Sequence, residues 1–280
     1  MSEKRVGGYK KVTSLANPLV KEIRGLHQKK NRDAGCVFLA EGQKLVRDAL
    51  EAGWTVRTLV YGAQSAGDPA IGQLAARTKA SGGMVLEVTR QILEKISRRD
   101  NPQSVLGVFG QRLAGLGEVG RDGLWVALDR VRDPGNLGTV MRTCDGAGVM
   151  GVVLIGETCD PFALEAVRAT MGSLFHVPLA RASEADFIRH MGTVPARLVG
   201  THLKAHADYR GADYRQPLVL VMGNEQQGLT DLLSEACDLT VRIPMVGQAD
   251  SLNLAVSTGL MIYEALRDEL PPAVRAKARL

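Results

Sequence analysis

Aromatic residues are scarce in this sequence: Phe, Trp and Tyr together make up 4% of its 280 residues. Long apolar runs are absent as well, since no stretch approaches the ~18 uninterrupted apolar residues that a membrane-spanning helix requires. The beginning of the chain, MSEKRVGGYKK, has no apolar segment after its charges, so we expect no secretory signal. These absences argue against a membrane protein and a secreted protein.

Cysteine is also rare, and neither a CxxC pair nor a dense disulfide framework is present. The four cysteines are widely spaced, at Cys36, Cys144, Cys159 and Cys237. This spacing is typical of free thiols in a reducing cytosol, so we expect a cytoplasmic protein. The close histidine pair, His202 and His206, has no accompanying cluster of Cys or acidic residues, and we therefore expect no metal site.

Charge is unevenly distributed along the chain. Residues 1–115 contain 19 Lys and Arg against 10 Asp and Glu, a net charge of +9, whereas residues 116–280 contain 16 against 20, a net charge of −4. A positive half joined to a mildly acidic half suggests a polyanion-binding module attached to a second domain, although charge runs are also typical of a solvated surface. The candidate nucleic-acid-binding side chains are Lys10, Lys11, Lys21, Arg24, Lys29, Lys30 and Arg32.

The apolar pattern predicts two α/β domains. We expect a first domain over residues 1–112, a glycine-rich linker over 113–122, a second domain over 123–270 and a frayed tail over 271–280. In the first domain the pattern predicts helices over 13–30, 41–52, 69–80 and 90–97 and strands over 37–40, 56–61, 84–88 and 105–109.

The second domain shows short apolar strands that alternate with helices. We predict strands over 124–128, 152–155, 197–201, 218–222 and 239–243, and helices over 137–147, 162–170, 184–191, 227–235 and 252–269. Apolar strands without polar alternation, separated by helices, are typical of a parallel sheet covered on both faces.

One motif, Gly146-Ala-Gly148-Val-Met-Gly151, matches the G-x-G-x-x-G fingerprint of dinucleotide-binding proteins. In that fingerprint the first glycine ends a strand and the last one opens a helix. Here the predicted helix precedes the glycines and the predicted strand follows them. The glycines instead fit a helix end, and a nicotinamide-dependent enzyme is left as a distant alternative.

Two loops that follow predicted strands contain polar side chains suited to chemistry. In DRVRDPGNLGTVMR, residues 129–142, Asn136 lies near the start of a helix and Arg142 follows six residues later. A helix start beside these side chains could hold a phosphate or orient a ribose hydroxyl, or could simply be a capped helix. In LVLVMGNEQQGL, residues 218–229, Glu225 lies between two glycines in what could also be an ordinary turn.

A third loop lies within VRIPMVGQADSLNLAV, residues 241–256. Ser251 is the expected N-cap of the last helix, whereas Asn253 is a mediocre helix former unless its amide is used. Apolar side chains for an adenine or a thioether are offered by Ile243, Met245 and Leu252. Open α/β sheets bind their ligands at loops of this kind, beyond the carboxyl ends of the strands.

In order and wording, the motifs DRVRDPGNLGTVMR, VMGNEQQGL and IPMVGQADSLNLAVS resemble the SpoU/TrmH family of the SPOUT superfamily of RNA 2′-O-methyltransferases. The likeness covers residues ~120–270, and RATMGSLFHVP resembles the family's segment between its first two motifs. More weakly, SLANPLVKEIRGLHQKKNR, FLAEGQKLVRDAL and ISRRDNPQSVLGVF resemble the substrate-binding domain of the ribosomal-RNA branch, an L30e/L7Ae-like α/β module.

The resemblance implies a trefoil-knotted catalytic domain, S-adenosylmethionine as the methyl donor, and a homodimer whose active site draws on both protomers. By motif match, the catalytic or substrate-positioning residues would be Asn136, Arg142, Glu225, Ser251 and Asn253. The residues that cradle the donor would be Thr201, Met222, Gly223, Gly228, Ile243, Met245 and Leu252.

The implied function is 2′-O-methylation of RNA, with large-subunit rRNA as the expected substrate. A tRNA substrate is the alternative within the enzyme class, and a non-catalytic ribosome-assembly factor is the alternative outside it. Because a guanidinium keeps its proton at neutral pH, we expect Arg142 to orient the hydroxyl and stabilise developing negative charge rather than accept a proton. The scarcity of aromatics favours recognition of RNA shape and phosphates over base stacking.

Overall fold

The computed structural model describes residues 7–270, so the predicted tail at 271–280 lies outside the described residues. The chain forms two compact units. Unit 1 comprises Met1–Arg112 and Asp160–His176, and unit 2 comprises Leu113–Cys159 and Val177–Leu280. The units differ from the predicted boundaries at two places: residues 113–122 fold with unit 2, and residues 160–176, inside the expected second domain, fold with unit 1.

The elements alternate between strands and helices along the chain. The strands are β1 (Gly8–Val12), β2 (Val37–Glu41), β3 (Val56–Gly62), β4 (Met84–Val88), β5 (Val105–Gly110), β6 (Leu124–Asp129), β7 (Gly151–Ile155), β8 (Leu179–Ala182), β9 (Arg197–Thr201), β10 (Ala207–Asp208), β11 (Leu218–Met222) and β12 (Leu239–Arg242). The helices are α1 (Pro18–Gly25), α2 (Lys29–Gly35), α3 (Gln43–Glu51), α4 (Pro69–Ala80), α5 (Arg90–Ser97), α6 (Pro134–Ala147), α7 (Leu164–Ala169), α8 (Glu184–Met191), α9 (Asp231–Ala236) and α10 (Leu254–Ala265). None of the helices between residues 7 and 270 is long and apolar enough to cross a membrane.

Unit 1 is built on a mixed five-stranded sheet in the order β1-β4-β3-β5-β2. Strand β4 is parallel to both β1 and β3, and β5 is antiparallel to both β3 and β2. The prediction of one helix over 13–30 is wrong, because the chain forms two separate helices, α1 and α2, instead. The side-chain amide of Asn31 donates to the carbonyl oxygen of Gly25 at 2.8 Å, which satisfies the end of α1 and turns the chain.

Two ion pairs attach the segment 160–176 to the interior of unit 1. Arg32 donates through Nε to Asp160 at 3.0 Å, and the two side chains are only 5% and 8% exposed. Arg168 donates to the buried carboxylate of Glu41 and to the carbonyl oxygen of Ser97. Arg32, predicted to bind nucleic acid, is therefore internal to the unit, and that prediction is wrong.

Aromatic side chains from both parts of unit 1 form one cluster in its core. Edge, tilted and stacked ring contacts with centroid separations of 5.1–6.2 Å join Phe38, Trp54, Phe109, Phe162 and Phe175. The indole of Trp54 also donates to the carbonyl oxygen of Phe175 at 3.0 Å. Buried aromatics contribute large apolar areas, so the segment 160–176 is an integral part of this unit.

Unit 2 is built on a seven-stranded sheet in the order β10-β12-β9-β11-β6-β7-β8, in which every neighbouring pair is parallel. The predicted parallel α/β sheet is thus confirmed, while the trefoil knot, which strand order alone does not trace, stays a prediction. Strand β11 lies directly beside β6, although the two are distant in sequence. The loops that follow these two strands therefore meet at the same edge of the sheet.

We expect Arg32→Ala to lower the free energy of unfolding of unit 1 by about 3–5 kcal/mol, because it removes the buried guanidinium that pairs with the carboxylate of Asp160. Urea unfolding followed by tryptophan fluorescence measures this, since Trp54 lies in the core of the same unit. Lys29→Ala is the matched control: it breaks the exposed pair with Asp33 and should cost less than about 1 kcal/mol. Equal unfolding midpoints for the two variants would contradict the structural role of Arg32.

Candidate active site

Two residues at the end of β6 connect this strand to the loop after β11. Asp129 is buried, and both of its oxygens accept hydrogen bonds from the guanidinium of Arg130 at 2.9 Å. The same guanidinium donates to the side chain of Gln227 at 2.8 Å and to the carbonyl oxygen of Gly228 at 3.3 Å. The carboxylate of Asp129 raises the pKa of Arg130 above its ordinary value. Sequence reasoning missed this pair, although a charged dipeptide directly after a buried strand was a visible signal.

The loop after β11 is a tight turn closed by its own main chain. Asn224 and Gly228 exchange two main-chain hydrogen bonds at 3.0 and 2.9 Å, and Gly228 has a φ of +69°. A Cβ on Gly223 would lie 2.4 Å from main-chain atoms of Gly228 and Leu229. Gly223 is among the residues expected to cradle the donor; in the structure its missing Cβ allows close approach of the turn's own backbone.

Three of the predicted catalytic residues, one from each of the three loops, form a chain of hydrogen bonds. The amide of Asn253 donates to the Oδ1 of Asn136 at 2.9 Å, and the amide of Asn136 donates to Glu225 at 3.0 Å. Asn136 is free to do this because Asp133, three residues earlier, caps α6 by accepting from the Asn136 main-chain N–H. The side-chain orientation of Asn136 is thereby fixed from both sides.

Arg142 and Ser251 stand apart from this chain of hydrogen bonds. Arg142 lies on α6, six residues after Asn136 and therefore ~9 Å along the helix axis. Its side chain is exposed and makes no hydrogen bond or ion pair with any residue in the described range. Ser251 is also exposed, and its predicted role as the N-cap of the last helix is wrong. Asn253 is the N-cap, because its Oδ1 accepts from the main-chain N–H groups of Ala255 and Val256.

The residues predicted to hold a methyl donor lie at the ends of β9, β11 and β12. The hydroxyl of Thr201 lies 3.8 Å from the sulfur of Met222 in the neighbouring strand. After β12, Ile243 and Leu252 are half-buried and Met245 is 37% exposed. Within the described part of the chain, the main-chain groups of residues 243–252 form no hydrogen bonds. This loop therefore offers free N–H and C=O groups beside apolar side chains, which is the combination that an adenine ring with a thioether-like tail requires.

The chain matches the SpoU rRNA Methylase family over residues 123–263 and the MRM3-like substrate binding domain over residues 17–107. The chain belongs to the SpoU rRNA methylase family. It is 53% identical to an rRNA methyltransferase from Sinorhizobium meliloti, also solved with AdoMet bound, with a TM-score of 0.89 over 94% of this chain and 99% of that one. It is 30% identical to the AdoMet complex of the SpoU methyltransferase AviRb from Streptomyces viridochromogenes, with a TM-score of 0.81 over 90% of this chain and 98% of that one.

A curated relative is also similar over almost the whole chain. The 23S rRNA (guanosine(2553)-2'-O)-methyltransferase RlmP from Bacillus subtilis (strain 168) is 30% identical over 91% of this chain and 98% of its own length. The predicted family, the α/β fold class and the prediction of an S-adenosylmethionine-dependent RNA methyltransferase are confirmed. The roles of the individual site residues stay predictions.

We expect Asn253→Ala to lower the free energy of unfolding by ~1 kcal/mol, because the first turn of α10 loses its N-cap acceptor. The matched variant Ser251→Ala should change it by less than about 0.5 kcal/mol, since the exposed hydroxyl caps nothing. Thermal unfolding followed by circular dichroism measures both. A larger loss for Ser251→Ala than for Asn253→Ala would show that the helix starts at Ser251.

Proposed function

We propose that this enzyme methylates a ribose 2′-hydroxyl of large-subunit rRNA. The observation that carries the proposal is the chain of hydrogen bonds from Asn253 through Asn136 to Glu225. Arg142 lies on the same helix as Asn136, and its guanidinium has no partner between residues 7 and 270. The relatives named as 23S rRNA 2′-O-methyltransferases support rRNA rather than tRNA as the substrate, and so does the match of unit 1 to a substrate-binding domain. The same names support a cytoplasmic location, where rRNA would be met.

The donor S-adenosylmethionine supplies a methyl group on a positively charged sulfur. The main-chain groups of residues 243–252 would bind its adenine, and Ile243, Met245 and Leu252 would cover its apolar parts. Thr201 and Met222 line the neighbouring strand ends. Gly223 and Gly228 give the adjacent turn its tight shape, and this turn would form one wall of the donor site.

The side chains of the other two loops position the RNA. Arg142 binds the target ribose or its phosphate, because it is exposed and has no partner among the described residues. Its guanidinium remains protonated, so it orients the 2′-hydroxyl and stabilises the negative charge that develops on the oxygen. Glu225 and Asn253 hold Asn136 in one orientation, and the exposed Ser251 is available to the substrate. Because methyl transfer requires an in-line approach, this positioning is a large part of the catalysis.

The homodimer that the resemblance implies has a suitable surface on α10. Val256, Leu260 and Tyr263 follow one another at helical spacing and are 52%, 40% and 50% exposed. The face of α10 that packs on α6 is a different one, so these three side chains form a separate, exposed apolar face of the helix. We propose that a second copy of the chain covers it and places residues near the first copy's site.

The proposed function is tested with purified enzyme, S-adenosylmethionine carrying a labelled methyl group, and separate samples of 23S rRNA, 16S rRNA and tRNA. We expect label in 23S rRNA at an alkali-resistant 2′-O-methyl nucleotide. Arg142→Ala should lower turnover by about 10²–10³-fold while donor affinity stays within about 3-fold.

Each result of this assay has one meaning. Turnover of Arg142→Ala within a few-fold of the wild type would remove Arg142 from the catalytic set. Label confined to tRNA would reject the rRNA substrate. The absence of label in every RNA would reject catalysis and favour a ribosome-assembly factor that binds RNA without modifying it.

The proposed dimer is tested with Leu260→Arg, which places a charge in the apolar face of α10. We expect sedimentation velocity to show a dimer for the wild type and a monomer for this variant. Leu232→Arg is the matched control, because Leu232 is an exposed leucine of the same unit that lies on α9 and not on α10. A dimer that survives Leu260→Arg would place the interface elsewhere.

A further inference from the structure

The cations predicted to bind nucleic acid have different surroundings in the folded chain. Lys11 pairs with Glu87, Lys29 pairs with Asp33, and Arg32 is buried against Asp160. A paired or buried cation has little charge left for a phosphate. Within the described residues, the members of the predicted set that make no ion pair are Lys10, Lys21, Arg24 and Lys30.

Two of these four cations, Lys21 and Arg24, lie close to two basic residues outside the predicted set, Lys95 and Arg98. Helix α1 packs on α5 in unit 1. Lys21 and Arg24 are three residues apart on α1, Lys95 lies in the last turn of α5, and Arg98 follows directly. These four side chains line one depression of about 290 Å³, together with His27 and Gln28.

The lining of this depression is positively charged. No carboxylate lines it, and none of its four Lys and Arg side chains forms an ion pair with another described residue. Burial lowers the pKa of His27, although its Nε2–H donates to the carbonyl oxygen of Ile96 at 2.7 Å, a hydrogen bond that acts in the opposite direction. Four like charges around a concave surface repel one another unless an anion lies between them.

The backbone conformation of Arg98 is a second, independent observation that favours a binding role for this side chain. It ends α5 with a φ of +56°, in the left-handed region where helix ends usually carry glycine. An arginine in this conformation is less favourable for the backbone than a glycine would be. Helix termination alone therefore does not account for an arginine at this position.

We propose that the depression between α1 and α5 binds phosphodiester groups of the RNA substrate through Lys21, Arg24, Lys95 and Arg98. The volume fits one or two phosphates with their sugars, and lysine and arginine are the side chains that bind phosphate oxygens. The proposal rests on the RNA substrate of the proposed function and names where unit 1 holds it. Such contacts fix the position of the RNA and carry no sequence information, which agrees with the scarcity of aromatics for base stacking.

The test uses the full-length chain and filter binding to a 23S rRNA transcript over a series of KCl concentrations. The double variant Lys95→Gln/Arg98→Gly should bind about 10-fold or more weakly at 0.15 M KCl. The slope of log affinity against log salt should fall by about 1.5, because two phosphate contacts are lost. Arg98→Gly alone should weaken binding while thermal stability stays equal or rises, which separates RNA contact from helix termination.

Arg90→Gln is the matched control, since Arg90 lies on the same helix but pairs with Glu94. This variant should bind with an affinity within about 2-fold of the wild type, and its salt slope should differ from that of the wild type by no more than about 0.3. Wild-type affinity and slope in the double variant would overturn the proposal, and so would an equal loss in Arg90→Gln. Failure of the proposed function is distinguishable, because it is read from methyl incorporation by the wild type and not from these affinities.

Discussion

The arrangement of the site depends on the pairing of Arg130 with the buried carboxylate of Asp129. A carboxylate that is 2% exposed requires a charged partner, and Arg130 provides one by bonding both oxygens. Its remaining donors then reach Gln227 and Gly228 in the loop after β11. The end of β6 is thus bonded to the turn that carries Glu225. Without this link, the turn would be held by its own main-chain hydrogen bonds and by Asn224, which donates to the carbonyl oxygen of Arg130 at 2.8 Å.

Hydrogen bonds connect this turn to the other two loops of the candidate site. Glu225 accepts from Asn136, Asn136 accepts from Asn253, and Asn253 caps α10. The same helix α10 packs on α6, the helix that carries both Asn136 and Arg142. Three loops that are distant in sequence are therefore held by few bonds. Among the residues that the structure describes, the guanidinium of Arg142 and the main chain of 243–252 have no partners. Side chains that are held in place beside free polar groups are what a positioning mechanism requires.

Much of the fold could be predicted from the sequence because local signals agree with it. Helices α4 and α5 have the predicted bounds, since Asp68 and Thr89 are strong N-caps followed by apolar residues at helical spacing. The strands that were missed, β1, β8 and β10, are all edge strands of their sheets. Edge strands are short and tolerate polar side chains, so their pattern is weak. Sequence alone also placed the N-cap of α10 at Ser251, because serine and asparagine are equally good caps and only geometry distinguishes them.

The sequence predicts which residues form the candidate site, but it does not predict the hydrogen bonds between them. The motifs contain Asn136, Glu225 and Asn253, whereas their hydrogen bonds depend on β6 and β11 being neighbours, which is a property of the sheet order. In the same way, nine basic residues among the first 32 look equivalent in sequence. Folding separates them, because a cation beside Glu87, Asp33 or Asp160 is neutralised and one beside Lys95 and Arg98 is not.

The segment 160–176 shows why a motif's position in the chain does not identify the unit that it stabilises. RATMGSLFHVP begins between the first and second catalytic motifs, yet its Arg168 bonds Glu41 and its Phe175 packs among the aromatics of unit 1. The residues of this stretch that lie in unit 1 pack in the core of that unit, so their structural role lies there and not at the candidate active site. A substitution of Phe175 should therefore act on the stability of unit 1 and, through it, on the depression between α1 and α5, while the hydrogen bonds that order Glu225 and Asn136 lie entirely within unit 2.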